Sequence, residues 1–271
     1  MQYAIVEGQR REAFSGGKGV CPTCAANTIA KCGPRVLHHW AHSRIRNCDP
    51  WWENETPWHR QWKNLFPEDS REINHVASDG EVHRADVKTP TGIVLEIQHS
   101  SMTDEERISR EQFYGNLIWV IDGSRFRDRF DIFHPLPDPS SELAKDLVWY
   151  KATRQMQGAA NGLFWRRSEN PESARELVQI HSIHEIKNDV QLAYRGHHQY
   201  DWIRPHRTWL DAKCPVYIDF GSDKLVRMEI YDESNLPCIR LVSRKQFAHD
   251  VMTETLASAV GTNFYPIHTH G

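Results

Sequence analysis

The stretch Val82-His-Arg-Ala-Asp-Val87, Lys88-Thr-Pro-Thr-Gly92, Ile93-Val-Leu-Glu-Ile-Gln98 decides how the chain is read. Two short, largely apolar segments flank a turn-forming Thr-Pro-Thr-Gly, which predicts two consecutive strands. Strand side chains alternate between faces, so the pattern assigns each residue a side. Ile93, Leu95 and Ile97 point one way, and Val94, Glu96 and Gln98 the other. Asp86 shares its face with Val82, Arg84 and Lys88. Paired as a hairpin, the strands bring the Asp86 and Glu96 carboxylates to one site. Two such charges about 4 Å apart repel by roughly 4 kcal/mol at an effective dielectric of about 20. A divalent cation removes that cost, and Mg²⁺ is typically held by one or two carboxylates plus water and substrate phosphate.

The flanking segments predict a compact α/β unit over residues 51–134. Thr56 and Pro57 read as the N-cap and first residue of a helix that stops before Pro67. Glu55, His59 and Lys63 recur every four residues, which places His59 and Lys63 on one helix face. With Thr56 as the cap, Glu55 falls just before the helix, and Glu53 is its rival. Two or three strands follow between Glu72 and Gln98. Thr103-Asp-Glu-Glu106 is a capping-box pattern that opens a second helix ending near Gly115. Arg110 and Tyr114 lie one turn apart on it, and Leu117-Ile-Trp-Val-Ile121 follows as a buried strand.

Six pieces occur in order over residues 21–122. They are Cys21-Pro-Thr-Cys24, His39-Trp-Ala-His42, Glu55-x-x-x-His59-x-x-x-Lys63, Ala85-Asp86-Val87, Glu96-Ile-Gln98-His-Ser100, and Arg110-x-x-x-Tyr114 before Ile118-Trp-Val-Ile121. This set resembles the competence protein CoiA-like family of the PD-(D/E)XK nuclease superfamily. The resemblance implies a restriction-endonuclease-like α/β core and a metal-dependent deoxyribonuclease acting in DNA uptake, recombination or mobile-element processing. Mg²⁺ or Mn²⁺ would be held by Asp86, Glu96 and the Ile97 carbonyl, with DNA as the partner and a homodimer left open. The first helix would add its glutamate to the active site, and Arg110 and Tyr114 would flank it. Arg110 could clamp a phosphate, although Tyr114 in the helix-sheet core with Arg110 lying over it is an equally plain reading. The superfamily's usual lysine is here Gln98, which can orient water by hydrogen bonds but carries no charge. Lys63 and Lys88 are the candidates to supply that charge. Gln98 also raises the alternative of a nuclease fold that binds DNA without cutting it.

Residues 1–50 are rich in Gly, Cys, His and Arg with little periodicity, and read as a small irregular module held by metal. Cys21-x-x-Cys24 followed by His39-x-x-His42 has the spacing of a structural zinc site. Cys32, Cys48 and His38 compete as ligands. A His-Asn-His nuclease built on His38 or His39 with Asn47 is a weaker reading, because no strand-turn-helix signature follows in place.

Six cysteines in a chain without a signal-peptide pattern suit metal ligation or free thiols, and a cytoplasmic location is the default expectation. No apolar run of about 18 residues is present, so no membrane span is expected. The net charge is -3, and residues 1–63 carry nine Lys/Arg against five Asp/Glu, which leaves -7 on the remainder. A basic N-terminal part on an acidic body suits local phosphate contact rather than general coating of nucleic acid. His134-Pro-Leu-Pro-Asp-Pro139 reads as a linker to an α+β accessory domain over residues 140–271. Helices are expected over Glu142–Gln155 and Glu172–Ile183, and strands over Val216–Phe220 and Leu225–Ile230. The alternation of aromatic and basic residues from His197 to Trp209 reads as core with a polar rim.

Overall fold

The computed structural model describes residues 1–44, 48–49, 51, 55–78, 80–156, 161–170, 178–231 and 235–253. The described residues form a mixed α/β protein with two compact units, one of residues 1–120 and 248–253, the other of residues 121–247.

The first unit opens with β1 (Tyr3–Val6), β2 (Gln9–Glu12), β3 (Lys18–Val20), β4 (Asn27–Gly33) and β5 (Val36–His42). They form one antiparallel sheet in the order β2-β1-β3-β4-β5. The expectation of an irregular segment is therefore corrected. Strands this short, with β2 mostly exposed, leave almost no alternation to read. The small core beneath them is Met1, Ala4, Cys21 and Trp40.

Next come α1 (Pro57–Lys63), β6 (Arg71–Val76), β7 (Val82–Lys88), β8 (Val94–Gln98), α2 (Asp104–Tyr114) and β9 (Leu117–Asp122). Within this unit the sheet order is β9-β8-β7-β6. The Thr56 hydroxyl accepts the His59 N–H at 3.2 Å and Pro57 opens α1, as their chemistry dictates. Thr103 caps α2 in the same way, and Gly115 closes it at a φ of 68°, which a side chain would resist. β8 and β9 are buried along their whole length, which explains their continuous apolar runs. The inner stripe of α2 is mostly charged: Arg107, Arg110, Glu111 and Tyr114. Its charges are paired. Arg107 bonds Glu111 at 2.6 Å, and Glu111 accepts the Trp119 indole N–H at 3.1 Å.

In the second unit, β10 (Phe130–Pro137), β14 (Tyr194–Trp202), β17 (Pro237–Ser243), β16 (Lys224–Ile230) and β15 (Val216–Asp219) lie side by side in that order. The His134–Pro139 linker is corrected: Pro135 and Pro137 lie in β10, paired with β14 through two register shifts. β10 takes its partner on one side, where prolines are tolerated. α3 covers only Glu142–Asp146, because Leu147-Val-Trp149 turns into β11. Of the helix expected over Glu172–Ile183, residues 171–177 lie outside the described residues, and His181–Ser182 is the short strand β13, paired with β12 (Leu163–Arg166). α4 (Lys187–Ala193), α5 (Arg207–Leu210) and α6 (Arg244–Thr253) are the remaining α-helices among the described residues, α6 running on into the first unit's residues. The aromatic residues of β14 are core: Tyr200 stacks on Phe130 at 5.2 Å and Trp202 on Phe126 at 4.5 Å. No helix among the described residues is long and apolar enough to cross a membrane.

Candidate functional site

The β7–β8 ladder pairs Lys88 with Val94 and Val87 with Leu95. One step further would set Asp86 opposite Glu96, and there the ladder stops. The side chains take over the backbone's bonds. Asp86 Oδ2 accepts the Ile97 N–H at 2.9 Å, and Glu96 Oε1 accepts the Asp86 N–H at 3.4 Å. The same row extends to the other neighbour of β7. Arg71 pairs with Val87 and Ile73 with Ala85, so Glu72 falls opposite Asp86. Glu72 has a φ of 45°, a strained value for a non-glycine residue, and makes no ladder pair. Three carboxylates thus stand in one cross-strand row on the sheet, where like charges oppose each other.

These acids line a cleft of about 530 Å³, counting its opening to solvent, with Asp49, Trp51, Glu55, His59, Lys63, Arg84, Gln98 and Arg110. Each acid has its own neighbour. Glu72 is held by Lys63 Nζ at 2.8 Å and by the Gln2 N–H at 2.8 and 2.9 Å. Burial pushes its carboxyl up, but Lys63 and Arg84 hold it well below the usual range. Lys63 also meets Glu55 at 2.5 Å. Burial alone would lower the Lys63 pKa, yet Glu72, Asp86 and Glu55 raise it, so the ammonium stays charged. Glu55 precedes α1, as the Thr56 cap requires, and still reaches the cleft; Glu53 lies outside the described residues.

Asp86 and Glu96 are driven apart. Asp86 Oδ1 lies 2.8 Å from His59 Nε2, off the direction of a good hydrogen bond. Burial raises the Asp86 pKa, but His59 and Lys63 bring it below its ordinary value. His59 is shifted upward: burial lowers it and Asp86 more than compensates. Glu96 Oε2 accepts from Arg110 at 2.8 Å. Burial and the nearby Asp86 charge push Glu96 up to about 8 despite Arg110. One proton is therefore held in the row near neutral pH, where a second cation could replace it.

Asp86, Glu96, Gln98, Glu55, His59, Lys63 and Arg110 thus converge. Arg110 does so in a different role from the expected phosphate clamp, because Glu96, Glu106 at 2.5 Å and the Trp51 carbonyl at 2.9 Å engage its guanidinium. Tyr114 is core, packed against Trp51, His75 and Phe113, and does not line the cleft. Lys88 is also outside it, since it sits in the paired part of the ladder beyond the point where the strands separate. Gln98 Nε2 donates to the Ser100 carbonyl at 3.2 Å. Glu72, Asp49 and Arg84 also line the cleft, and no sequence motif marks them. Only the two-residue spacing of Arg84 from Asp86 gave any signal.

A second cluster lies in the same unit. Cys21, Cys24, His42 and Cys48 bring three sulfurs and one imidazole nitrogen within 4.8 Å of one another, and could hold a zinc ion. Cys21 Sγ and Cys48 Sγ are 4.0 Å apart, and Cys24 Sγ and His42 Nε2 are 3.4 Å apart. Tetrahedral zinc with ~2.3 Å bonds to sulfur has edges of about 3.8 Å, so the donor set fits. Burial would raise the Cys21 pKa, but the Cys24 and Thr23 backbone N–H groups stabilise the thiolate and lower it. Burial and the neighbouring sulfurs of Cys21 and Cys24 push Cys48 up to about 12. The expected His39 is replaced by Cys48. His39 and His42 are three residues apart in β5, hence on opposite faces, and His39 Nδ1 meets the Leu37 carbonyl at 2.8 Å. Cys32 and His38 are also outside the cluster, and Asn47 lies outside the described residues.

The cluster is tied to the cleft's own strands. Asn74 of β6 bonds Thr23 at 2.8 Å and the Pro22 carbonyl at 3.1 Å. Asp49, next to Cys48, accepts the Arg84 N–H at 3.0 Å and meets His83 at 3.0 Å. No protein-family model, curated protein or solved structure matches the chain.

Proposed function

We propose that the cleft is the active site of a metal-dependent nuclease of the PD-(D/E)XK type, hydrolysing phosphodiester bonds in DNA. The observation that carries this is the separation of β7 and β8 at Asp86 and Glu96, which turns two facing ladder positions into carboxylates of one cleft. Asp86, Glu96 and the Ile97 carbonyl would hold Mg²⁺ or Mn²⁺, and Cys21, Cys24, His42 and Cys48 a structural zinc. A hard cation there supplies Lewis acidity and a water of lowered pKa. The chain's own residues do the rest. Arg110 fixes Glu96, and the Ile97 N–H fixes Asp86. Lys63, charged and buried between Glu55 and Glu72, adds positive potential in place of the superfamily's lysine at Gln98. Its raised pKa makes it an electrostatic stabiliser rather than a base. His59, near Asp86 and shifted upward, is placed to pass a proton to a departing oxygen. The biological setting would be DNA uptake, recombination or mobile-element processing.

The test is cleavage of plasmid, linear duplex and single-stranded DNA by wild type and Asp86→Asn with Mg²⁺, Mn²⁺ or no added metal. Metal-dependent cutting that falls at least about a hundredfold in the variant is expected, since even outer-shell changes at metal sites cost about 10–100-fold. Equal cutting by the variant would end the proposal. One observation favours a second reading, an inactive DNA-binding protein on the same fold: Arg110 already occupies Glu96 Oε2. It is supported if wild type binds DNA without turnover under either metal.

A further inference from the structure

We infer that Arg84 is a seat for a phosphate group of the substrate, one strand repeat from Asp86 on the cleft face of β7. Arg84 lines the cleft, and its Nη1 is buried with no hydrogen-bond partner. Among the described residues its guanidinium makes no ion pair and no hydrogen bond; only its backbone N–H is engaged, by Asp49. Acids are nearby, but their oxygens are committed elsewhere. Glu72 receives Lys63 and the Gln2 and Tyr3 N–H groups. Asp49 receives His83, the Trp51 N–H and the Arg84 N–H. Glu72 and Asp49 favour the charged guanidinium at a distance, but a buried donor such as Nη1 with no hydrogen-bond partner is unfavourable. The planar fork matches a phosphate, which it can bind through two parallel bonds.

Position points the same way. Alternate strand residues lie about 7 Å apart on one face. A phosphate on Arg84 thus stands about one backbone step of an extended polynucleotide from the Asp86–Glu96 carboxylates. The inference rests on the nuclease reading for what carries the phosphate, either a terminal monoester or an internal diester next to the scissile bond.

The experiment uses full-length, zinc-loaded wild type, Arg84→Gln and Arg84→Lys without added Mg²⁺ or Mn²⁺. Anisotropy measures binding of single-stranded oligonucleotides that are 5′-phosphorylated, 3′-phosphorylated or unphosphorylated, across a salt series. Thermal melting is followed with and without inorganic phosphate. Arg84→Gln is expected to weaken binding about tenfold and to lower the salt slope by about one. Removing the charge near Glu72 should lower its melting temperature only slightly, because Lys63 and two backbone N–H groups still hold that carboxylate, and phosphate should stabilise wild type more than the variant. A loss confined to end-phosphorylated oligonucleotides identifies a terminal phosphate, and a loss on all of them an internal one; either supports the seat. Unchanged affinity and slope overturn it. So does a variant that melts well below wild type and is rescued by Arg84→Lys, which marks a structural ion pair. Binding lost in Arg84→Gln, with no cleavage by wild type once Mg²⁺ or Mn²⁺ is added, upholds the seat and ends the nuclease reading. Metal-dependent cleavage by wild type with unaltered binding by Arg84→Gln does the reverse.

Discussion

The first unit holds two polar clusters built on opposite principles. Cys21, Cys24, His42 and Cys48 gather soft donors that one ion can saturate, with no hard oxygen among them. The cleft gathers hard oxygens from Glu72, Asp86 and Glu96 in one row, balanced unevenly by Lys63, His59 and Arg110. A saturated tetrahedron leaves no open position and stabilises a fold. A row of acids that is only partly neutralised costs stability and keeps an affinity for another cation. The contacts through Asn74 and Asp49 join the two, so the first cluster braces the strands that display the second.

The largest effect separates them by metal. Stripping zinc with a chelator, or Cys48→Ser, should unfold much of the first unit, because structural zinc contributes about 10–16 kcal/mol in finger peptides against a total stability of about 5–15 kcal/mol for a domain. Circular dichroism and bound-zinc analysis check this, and His39→Ala is the control. Next is Lys63→Met, which leaves buried Glu55 and Glu72 without their shared cation and should cost about 3–5 kcal/mol in urea unfolding. Glu96→Gln should then lower cleavage at least about a hundredfold, roughly 2.7 kcal/mol of barrier, while the melting temperature changes little because a neutral amide replaces a carboxyl whose burial already disfavours the charged form.

A smaller effect belongs to the second unit, which has neither cluster. Burial and the neighbouring His198 lower the His134 pKa to about 4. Its neutral form is favoured in the folded chain, so the unfolded chain takes up the proton first. The contribution is complete above about pH 6.5 and is lost as pH falls toward about 4, at most about 3 kcal/mol before allowance for partial exposure. His134→Gln should flatten stability against pH in that window. The smallest change is His39→Ala itself, expected within about 0.5 kcal/mol of wild type and with zinc retained.

What was readable in advance followed local periodicity. The strand alternation of Asp86 and Glu96, the four-residue spacing of His59 and Lys63, and the Thr56 and Thr103 caps are set by bonds within a few residues, and all appear in place. The His39-x-x-His42 spacing suits a shared zinc ion only where the chain is not extended. In β5 it is an odd step, which sends His39 away from His42. Lys88 shares the face of Asp86 but not the cleft, because the strands separate only beyond Val87, which face alone does not reveal. Glu72 and Arg84 needed the β6–β7 register, a tertiary fact, and Glu72 needed a strained φ that no residue pattern announces. Residues 1–42 hid a sheet because short, polar-faced strands carry no apolar period.

If the cleft is a metal-dependent nuclease site, Asp86 and Glu96 jointly hold one divalent cation. Mn²⁺ titration by electron paramagnetic resonance on zinc-loaded wild type, Asp86→Asn and Glu96→Gln tests it most directly. One Mn²⁺ site is expected in wild type, lost or weakened at least about tenfold in both variants, with zinc content unchanged. Equal Mn²⁺ binding by all three proteins, or none by wild type, would contradict it.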